Sequence, residues 1–521
     1  WMNDVNVSDW NGTTVFAAIA LYEALHHHGH LLDDSTRNAW REQLLQAGEF
    51  IYGDKFIYSR RREGMRNMNV NYSASAIYAL FAIGTEFNRQ DFIARARETA
   101  GDLKAFFTTN EYFLFGEGPE IKKKTRNGCL PVDLLYNVEE SLPNMVYYAH
   151  MADDKELMAL LEKSMDTHLE FMLPDGAWDN SWGTRSFKWT YWGGRTSDGF
   201  MGGYYTLADR HPEYAEAIHR NITLLKKATH NGLLHGGMNY HDCGVEACIH
   251  HTFGHAKALA SFLNQPVVTP APVPLPRDKA YGAKRFEDIN TWLVSEGEWR
   301  ATVTGFDSEY KVKGTHPMGG VLSMLWNKQI GPVFAATMNL YTLIEAPNMQ
   351  AYTQPHRMSG SPRIELIENG TMYSNLDDLD TKITYQKKGN THQFHIVTHL
   401  VDSKQQFSSV GKEAVEIDYI FQEKEIGIHC SIPESLRKAG VQLTLPIIAA
   451  PQEKENITEH SVQVNKEGGV LLLNSPQTLT IAPTDENGRI FNPVPGFCFI
   501  PVIVHPNEKG EVEISIRTTA P

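Results

Sequence analysis

Two kinds of apolar pattern alternate along residues 1–264. One starts polar and then runs through Ala and large apolar residues with few gaps. It appears as "SDWNGTTVFAAIALYEAL" from Ser8, "NYSASAIYALFAIG" from Asn71, "NVEESLPNMVYYAH" from Asn137, "TSDGFMGGYYTLA" from Thr196 and "CIHHTFGHAKALASFL" from Cys248. The other is amphipathic. In "DDKELMALLEKSMDTHLEFML" one stripe holds Leu157, Leu160, Leu161, Met165, Leu169 and Met172, with charges opposite. "DFIARARETAGDLKAFF" and "PEYAEAIHRNITLLKKAT" follow the same plan. Starts of the first kind recur every roughly 50–65 residues, the spacing of an array of similar units. Helices apolar all round must be buried on most sides, whereas amphipathic ones keep a wet face. A ring of helical hairpins with an inner and an outer layer meets both demands. Residues 1–264 are therefore expected to form an (α/α) toroid, an incomplete barrel of hairpins lacking a helix ahead of Trp1. Asn, Ser and Asp at the helix starts predict side-chain N-caps.

Prolines at 266, 270, 272, 274 and 276 in "NQPVVTPAPVPLPRDK" exclude helix and predict an extended linker over 265–280. After it the period changes. "HQFHIVTHLV", "AVEIDYIFQEKEIGIHCSI", "GGVLLLNSPQTLTIAP" and "EVEISIRTTA" are short, β-branched runs broken by Gly, Asn and Pro. That is the pattern of an antiparallel β-sandwich, expected over 281–521. The fold class is multidomain, α then β.

A chain of 521 residues is too long for one core, which agrees with this division. The net charge of −14 argues against nucleic acid as partner, and any acidic partner must be met by local cations. No apolar run reaches the ~18 residues of a membrane span. The chain opens on Trp1 rather than Met, so processing or truncation would hide a targeting signal. Five cysteines are no disulfide framework. Cys243 and Cys248 are near enough to bond or to flank a metal, but two unpaired buried thiols is the simpler reading.

In a toroid the first turns of the inner helices face one bowl, the natural ligand site. The residues at those starts are Asn69, Asn71 and Tyr72; Tyr136, Asn137, Glu139 and Glu140; Arg195 and Asp198; Tyr240, His241, His250 and His251. Residues 181–199, "SWGTRSFKWTYWGGRTSDG", lead into the fourth start. Their aromatics (Trp182, Phe187, Trp189, Tyr191, Trp192) and cations (Arg185, Lys188, Arg195) suit an anionic sugar. The sugar face stacks on Trp, and a guanidinium forks onto a carboxylate. The structural alternative is that Trp189 and Trp192 fill a gap between helices while the cations pair with Asp179 and Asp198. His251 and His255 stand at i, i+4, a zinc spacing, but the third ligand is not evident; first-turn bases or core histidines are the competing readings. Glu139 and Glu140 diverge on a helix and cannot by themselves form a glycosidase pair. They could partner Asp179 or Asp198, or compensate a helix dipole. In "HQFHIVTH" His395 and His399 share a strand face opposite His392, too far apart for one metal. Arg357 could reach the bowl if the domains pack face to face; a surface loop is the plainer alternative.

A helical toroid, a Pro-rich linker and a β-sandwich resemble the polysaccharide lyases of the heparinase II/III and alginate lyase type. "HPMGGVLSMLWNKQIGPVFAATMNLYTLIEAPNMQ" is similar to the start of their sandwich, and "NVEESLP", "DNSWGTRSFKWTYWG" and "CIHHTFGHAKALA" to words of uronate-acting enzymes. Within them the resemblance points to the L-rhamnose-α-1,4-D-glucuronate lyases, which trim arabinogalactan side chains. It implies β-elimination on an acidic oligo- or polysaccharide, no cofactor, and a periplasmic or secreted location. One departure stands out. Many such lyases carry an Asn-His pair at an inner-helix start, and "NMNVNY" has no His. Asn69 or Asn71 would neutralise the uronate carboxylate, and the base must come from elsewhere.

Elimination removes H5 of the uronate, so the site must quench the carboxylate's charge. It also needs a base at C5 and an acid at O4. In glucuronate both lie on one face, so one Tyr or a Tyr–His pair serves. Tyr240, Tyr191, His250 and His251 are the candidates, with Arg185, Lys188 and Arg195 as neutralisers and Asn137, Tyr72, Trp189, Trp192 and Arg357 lining the sugar. The competing functions are a glucuronidase using Glu139 or Glu140, and a glycan-binding protein without activity.

Overall fold

The computed structural model describes residues 12–53, 69–118, 122–194, 199–247, 249–269, 272–310, 316–342, 358–485 and 487–520. Nine helices of six residues or more make up the described first half. The inner layer is α1 (Thr13–His28), α3 (Val70–Glu86), α5 (Leu142–Ala152), α7 (Gly202–Leu207) and α9 (Ile249–Phe262). The outer layer is α2 (Asp34–Tyr52), α4 (Gln90–Leu103), α6 (Lys155–Leu169) and α8 (Pro212–Lys227). Each inner helix from α1 to α7 packs on the next inner helix and on the outer helix that follows it.

Burial follows the two patterns. In α3, fourteen of seventeen residues are buried, including every position from Ser73 to Gly84. In α2 only Leu44, Ala47, Gly48 and Ile51 are, one face of the helix. In α6 His168 joins the buried stripe, whereas Leu160 is half-exposed. The caps differ from expectation. Asp33 and Asp154 cap the outer helices α2 and α6 through backbone N–H groups of Thr36 and Leu157. Asn69 occupies the N-cap position of α3 without a capping bond, and Asn71 lies inside the helix, its amide turned to another partner.

The last inner helix ends at Phe262 and the first strand of the second half begins at Gly282. A five-stranded antiparallel meander comes first: Gly282–Phe286, Thr291–Glu296, Trp299–Thr304, Val321–Asn327 and Gly331–Ala335. Its third and fourth strands are buried at every position, because the sheet is covered on both faces. Leu293, Met324 and Trp326 join the helical core, while Val294, Ala301, Val303, Leu322 and Leu325 join the core shared with the next sheets. An eight-stranded and a six-stranded antiparallel sheet complete the β half. Thr391–Thr398, in the eight-stranded sheet, alternates half-exposed and buried residues, so one of its faces is wet.

Buried polar contacts join the halves. Arg277 pairs with Asp179 at 2.8 Å, both fully buried, and also donates to the Ala301 carbonyl. Thr302 donates to the same Asp179 oxygen, and Ser181 reaches Ser323 at 2.8 Å. Glu111 and Asp288 accept one another's backbone N–H groups at 2.9 Å. Among the described residues no helix is long and apolar enough to cross a membrane.

Candidate active site

Asp133 sets the geometry. One carboxylate oxygen caps the turn Leu134–Tyr136 by accepting from the Tyr136 N–H at 3.1 Å, and the other accepts from the Arg185 N–H at 2.8 Å. Two segments far apart in sequence are thereby clamped together, and their side chains interlock. The Arg185 guanidinium lies over the Tyr136 ring, 4.0 Å from its centroid, with Tyr310 of the β half at 4.6 Å. Lys188, in the 3-10 turn Ser186–Lys188, donates to the Tyr136 phenol oxygen at 3.3 Å. Tyr136 is 7% exposed and Lys188 half-buried.

Behind this group a carboxylate network crosses the first turns of the inner helices. Glu117 lies 2.8 Å from Arg185 and accepts the Asn71 backbone N–H at 2.9 Å. The Asn71 amide donates to Glu140 at 2.7 Å, and Asn144 donates to the Glu140 carbonyl and to Ser75. Glu139 and Glu140 belong to a π-helical stretch, Asn137–Ser141, just ahead of Pro143. Such a turn re-aims side chains and is frequent at functional sites. The two carboxylates do diverge: Glu139 accepts the Gly194 N–H at 2.9 Å while Glu140 faces Asn71. A Cβ on Gly199 would stand 1.7 Å from the Glu139 carbonyl oxygen, so only glycine fits where that strand of chain crosses the π-turn. A cavity of about 220 Å³ adjoins the two glutamates, with Phe16, Glu23, Asn144 and Lys257 among its walls.

Burial dominates the electrostatics. It pushes the Glu117 carboxyl up to about 7 against the pull of Arg185. It raises Asp133 too, with Arg185 opposing. Burial also works against the Arg185 charge, but Glu117 and the faces of Tyr136 and Tyr310 outweigh it and hold the guanidinium protonated.

Several expected site residues lie elsewhere. Trp189 and Trp192 are 0% and 1% exposed, which corrects the sugar-stacking role: they are packing, and Trp192 donates to the His235 carbonyl. Tyr191 is buried with its phenol on Asp175 at 2.7 Å, and both burial and Asp175 hold it protonated, so it is no base. Tyr240 is buried and donates to the Pro493 carbonyl at 2.9 Å, a contact between the halves. Asn137 is buried and holds the Leu114 carbonyl and His168. Burial lowers His168 to about 4, so it stays neutral. His251 and His255 are buried beside Trp192, at 6.1 and 4.8 Å between ring centroids. His241 stacks on His230. Asp179 faces Arg277, while Arg185 and Lys188 are placed on Glu117 and Tyr136. Asn69 and Tyr72 are half-buried at the start of α3, with Tyr72 against Phe16. Arg195, Asp198, Arg357 and the His250 side chain lie outside the described residues. The sandwich histidines are paired: His392 with Tyr385 and Glu296, His395 with Asp418, His399 with Asp378. Among the described residues no group of three His, Cys, Asp or Glu is arranged to hold a metal.

Glu117, Asp133, Tyr310 and the basic run Lys122–Lys124 were not singled out from sequence. Asp133 had a signal, a helix-capping residue three positions ahead of Tyr136. Lys122–Lys124 are exposed, a few residues beyond Glu117.

The chain is similar to known proteins over nearly its whole length. A family described as "Ulvan lyase N-terminal domain" matches residues 1–276, and "Ulvan lyase C-terminal domain" matches 283–519. A "Broad-specificity ulvan lyase" of Formosa agariphila is 38% identical over 511 residues, covering 96% of this chain and 78% of that protein. Among solved structures, a chondroitin AC lyase of Streptomyces coelicolor A3 is 10% identical with a TM-score of 0.49, covering 97% of this chain and 66% of that one. A heparinase III structure is 9% identical with a TM-score of 0.47, covering 92% and 62%. The chain thus spans under two thirds of these two structures' length.

Proposed function

The chain belongs to the ulvan lyase family of polysaccharide carbon–oxygen lyases, and from that premise we propose that it cleaves ulvan at glucuronate, with Tyr136 as base and acid. Ulvan, built of rhamnose and glucuronate units, is what the relative's name gives as substrate. It takes the place of arabinogalactan, which nothing supports. The rhamnose–glucuronate linkage expected from sequence is retained.

The observation that carries the reading is the Tyr136 phenol, donated to by Lys188 and backed by the Arg185 guanidinium. Two cations beside a phenol favour its phenolate, the form that can take H5. As that proton leaves, charge spreads onto the uronate carboxylate, and Lys188 meets it there. In the syn geometry of glucuronate the resulting phenol stands on the same face as O4 and returns its proton to the leaving oxygen. The Asn71 amide is committed to Glu140, which leaves Asn69 as the asparagine for the carboxylate. The described carboxylates suit hydrolysis poorly: Glu139 and Glu140 diverge and Asp179 is sealed against Arg277. A polymer met outside the cytoplasm supports a periplasmic or secreted location, to be checked by fractionation.

Elimination creates a C4–C5 double bond conjugated to the carboxylate, so ultraviolet absorbance should rise as ulvan is depolymerised. New reducing ends without that rise would overturn the elimination reading. Wild-type rates in Tyr136→Phe would remove Tyr136 from it.

A further inference from the structure

Where the helical half meets the six-stranded sheet, two cysteines from opposite halves face each other. Cys243 Sγ and Cys498 Sγ are 3.0 Å apart, although 255 positions separate them in sequence. Cys243 is half-buried in the loop following Tyr240, and Cys498 is buried at the start of the strand Phe497–Val504.

The approach is enforced from both sides. The Asn239 side chain accepts from the Cys498 N–H at 3.0 Å, its own N–H donates to the Gly496 carbonyl at 2.9 Å, and its carbonyl accepts from the Cys243 N–H at 3.0 Å. One asparagine therefore ties down both cysteine backbones. Gly237 and Gly496 let the two chains touch: a Cβ on either would stand 2.3 Å from the other's Cα. The Tyr240 phenol, donating to Pro493, anchors the same junction. Tyr240, Phe491 and Cys498 share an apolar cluster with Cys243 against it.

We propose that Cys243 and Cys498 form a disulfide that fastens the helical half to the β half. The chemistry needs a disulfide as oxidant. Cys243, the accessible member, attacks one sulfur of a small-molecule disulfide as its thiolate, forming a mixed disulfide and releasing one thiol. Cys498 loses its proton to solvent, attacks Cys243 Sγ and expels the second thiol. Two protein thiols are oxidised and one reagent disulfide is reduced to two thiols. The hydrogen bond between the sulfurs suits this order. It holds Cys243 below the ordinary thiol range, and together with burial it pushes Cys498 above it. The thiolate thus forms first at the accessible sulfur.

The test uses the full chain, equilibrated with oxidised glutathione or with excess dithiothreitol. The oxidised sample should show three titratable thiols after denaturation instead of five, and digestion should release a peptide pair joining Cys243 to Cys498. Its melting temperature should exceed that of the reduced sample by on the order of 5 °C, since the bridge closes a very long loop. Cys243→Ser/Cys498→Ser should lose the redox-dependent shift. Five free thiols after oxidation, a bridge through Cys248, or an equal shift in the double variant would each overturn the proposal.

Discussion

At the scale of the residue, Tyr136 and its two cations separate a chemical role from a structural one. Tyr136→Phe keeps the ring under Arg185 and removes only the proton carrier. Its turnover should fall about 10²–10⁴-fold with an unchanged melting temperature, read as ultraviolet absorbance rate beside a thermal melt. Lys188→Met removes a charge that favours the phenolate, so the rising limb of the kcat/KM–pH profile should move to higher pH. Arg185 is another matter. It is 3% exposed and paired with a fully buried Glu117, so Arg185→Ala leaves a buried carboxylate without its partner. The expected cost is about 3–5 kcal/mol of stability, measured by denaturant unfolding. Sequence brought Arg185 forward for its charge, and that charge serves the fold first. Spacing showed which residues carry charge; which of them is sealed against another depended on a clamp at Asp133, whose capping place ahead of Tyr136 is local but whose hold on the Arg185 N–H is not.

At the scale of the element, the inner and outer helices were legible because burial on all sides and burial on one side leave different apolar periods. The π-turn was not, since it leaves no apolar period of its own and its close crossing by Gly199 is a tertiary contact. Nor was the linker's role. Arg277, inside the Pro-rich stretch, carries a buried bond to Asp179. Asp179→Asn or Arg277→Met alone should each destabilise by about 3–5 kcal/mol, and the double variant by less than their sum, in a double-mutant cycle of unfolding free energies. The Glu111–Asp288 clasp adds a pH dependence. Burial, with Asp288 beside it, pushes Glu111 from its ordinary 4.5 up to about 7. A carboxyl raised on folding binds its proton more tightly in the folded state. Its stabilisation is complete below about 4.5 and is lost as pH climbs through about 7. Melting temperature should therefore fall between pH 5 and pH 8, and by less in Glu111→Gln.

At the scale of the whole molecule, a chain with net charge −14 that acts on ulvan, as proposed, must meet a polyanion. The global field repels such a substrate, so capture depends on local cations. Lys122–Lys124 are exposed ahead of Pro131, whose carbonyl accepts the Glu117 N–H. Replacing all three with Gln should raise KM for ulvan roughly 10-fold, leave kcat nearly unchanged, and weaken the fall of kcat/KM with salt.

The sequence by itself determined the order of the two halves, the alternation of buried and amphipathic helices and the Pro-rich break. Each is written in local periodicity, composition or residue type, which survive without knowledge of contacts. Only the tertiary structure decided that the tryptophans of 181–199 are core, that Asp179 belongs to Arg277, and that Tyr136 and Lys188 meet. Those depend on which segments are folded against each other. A Trp beside an Arg reads the same in a sequence whether a sugar or a β-sheet covers it.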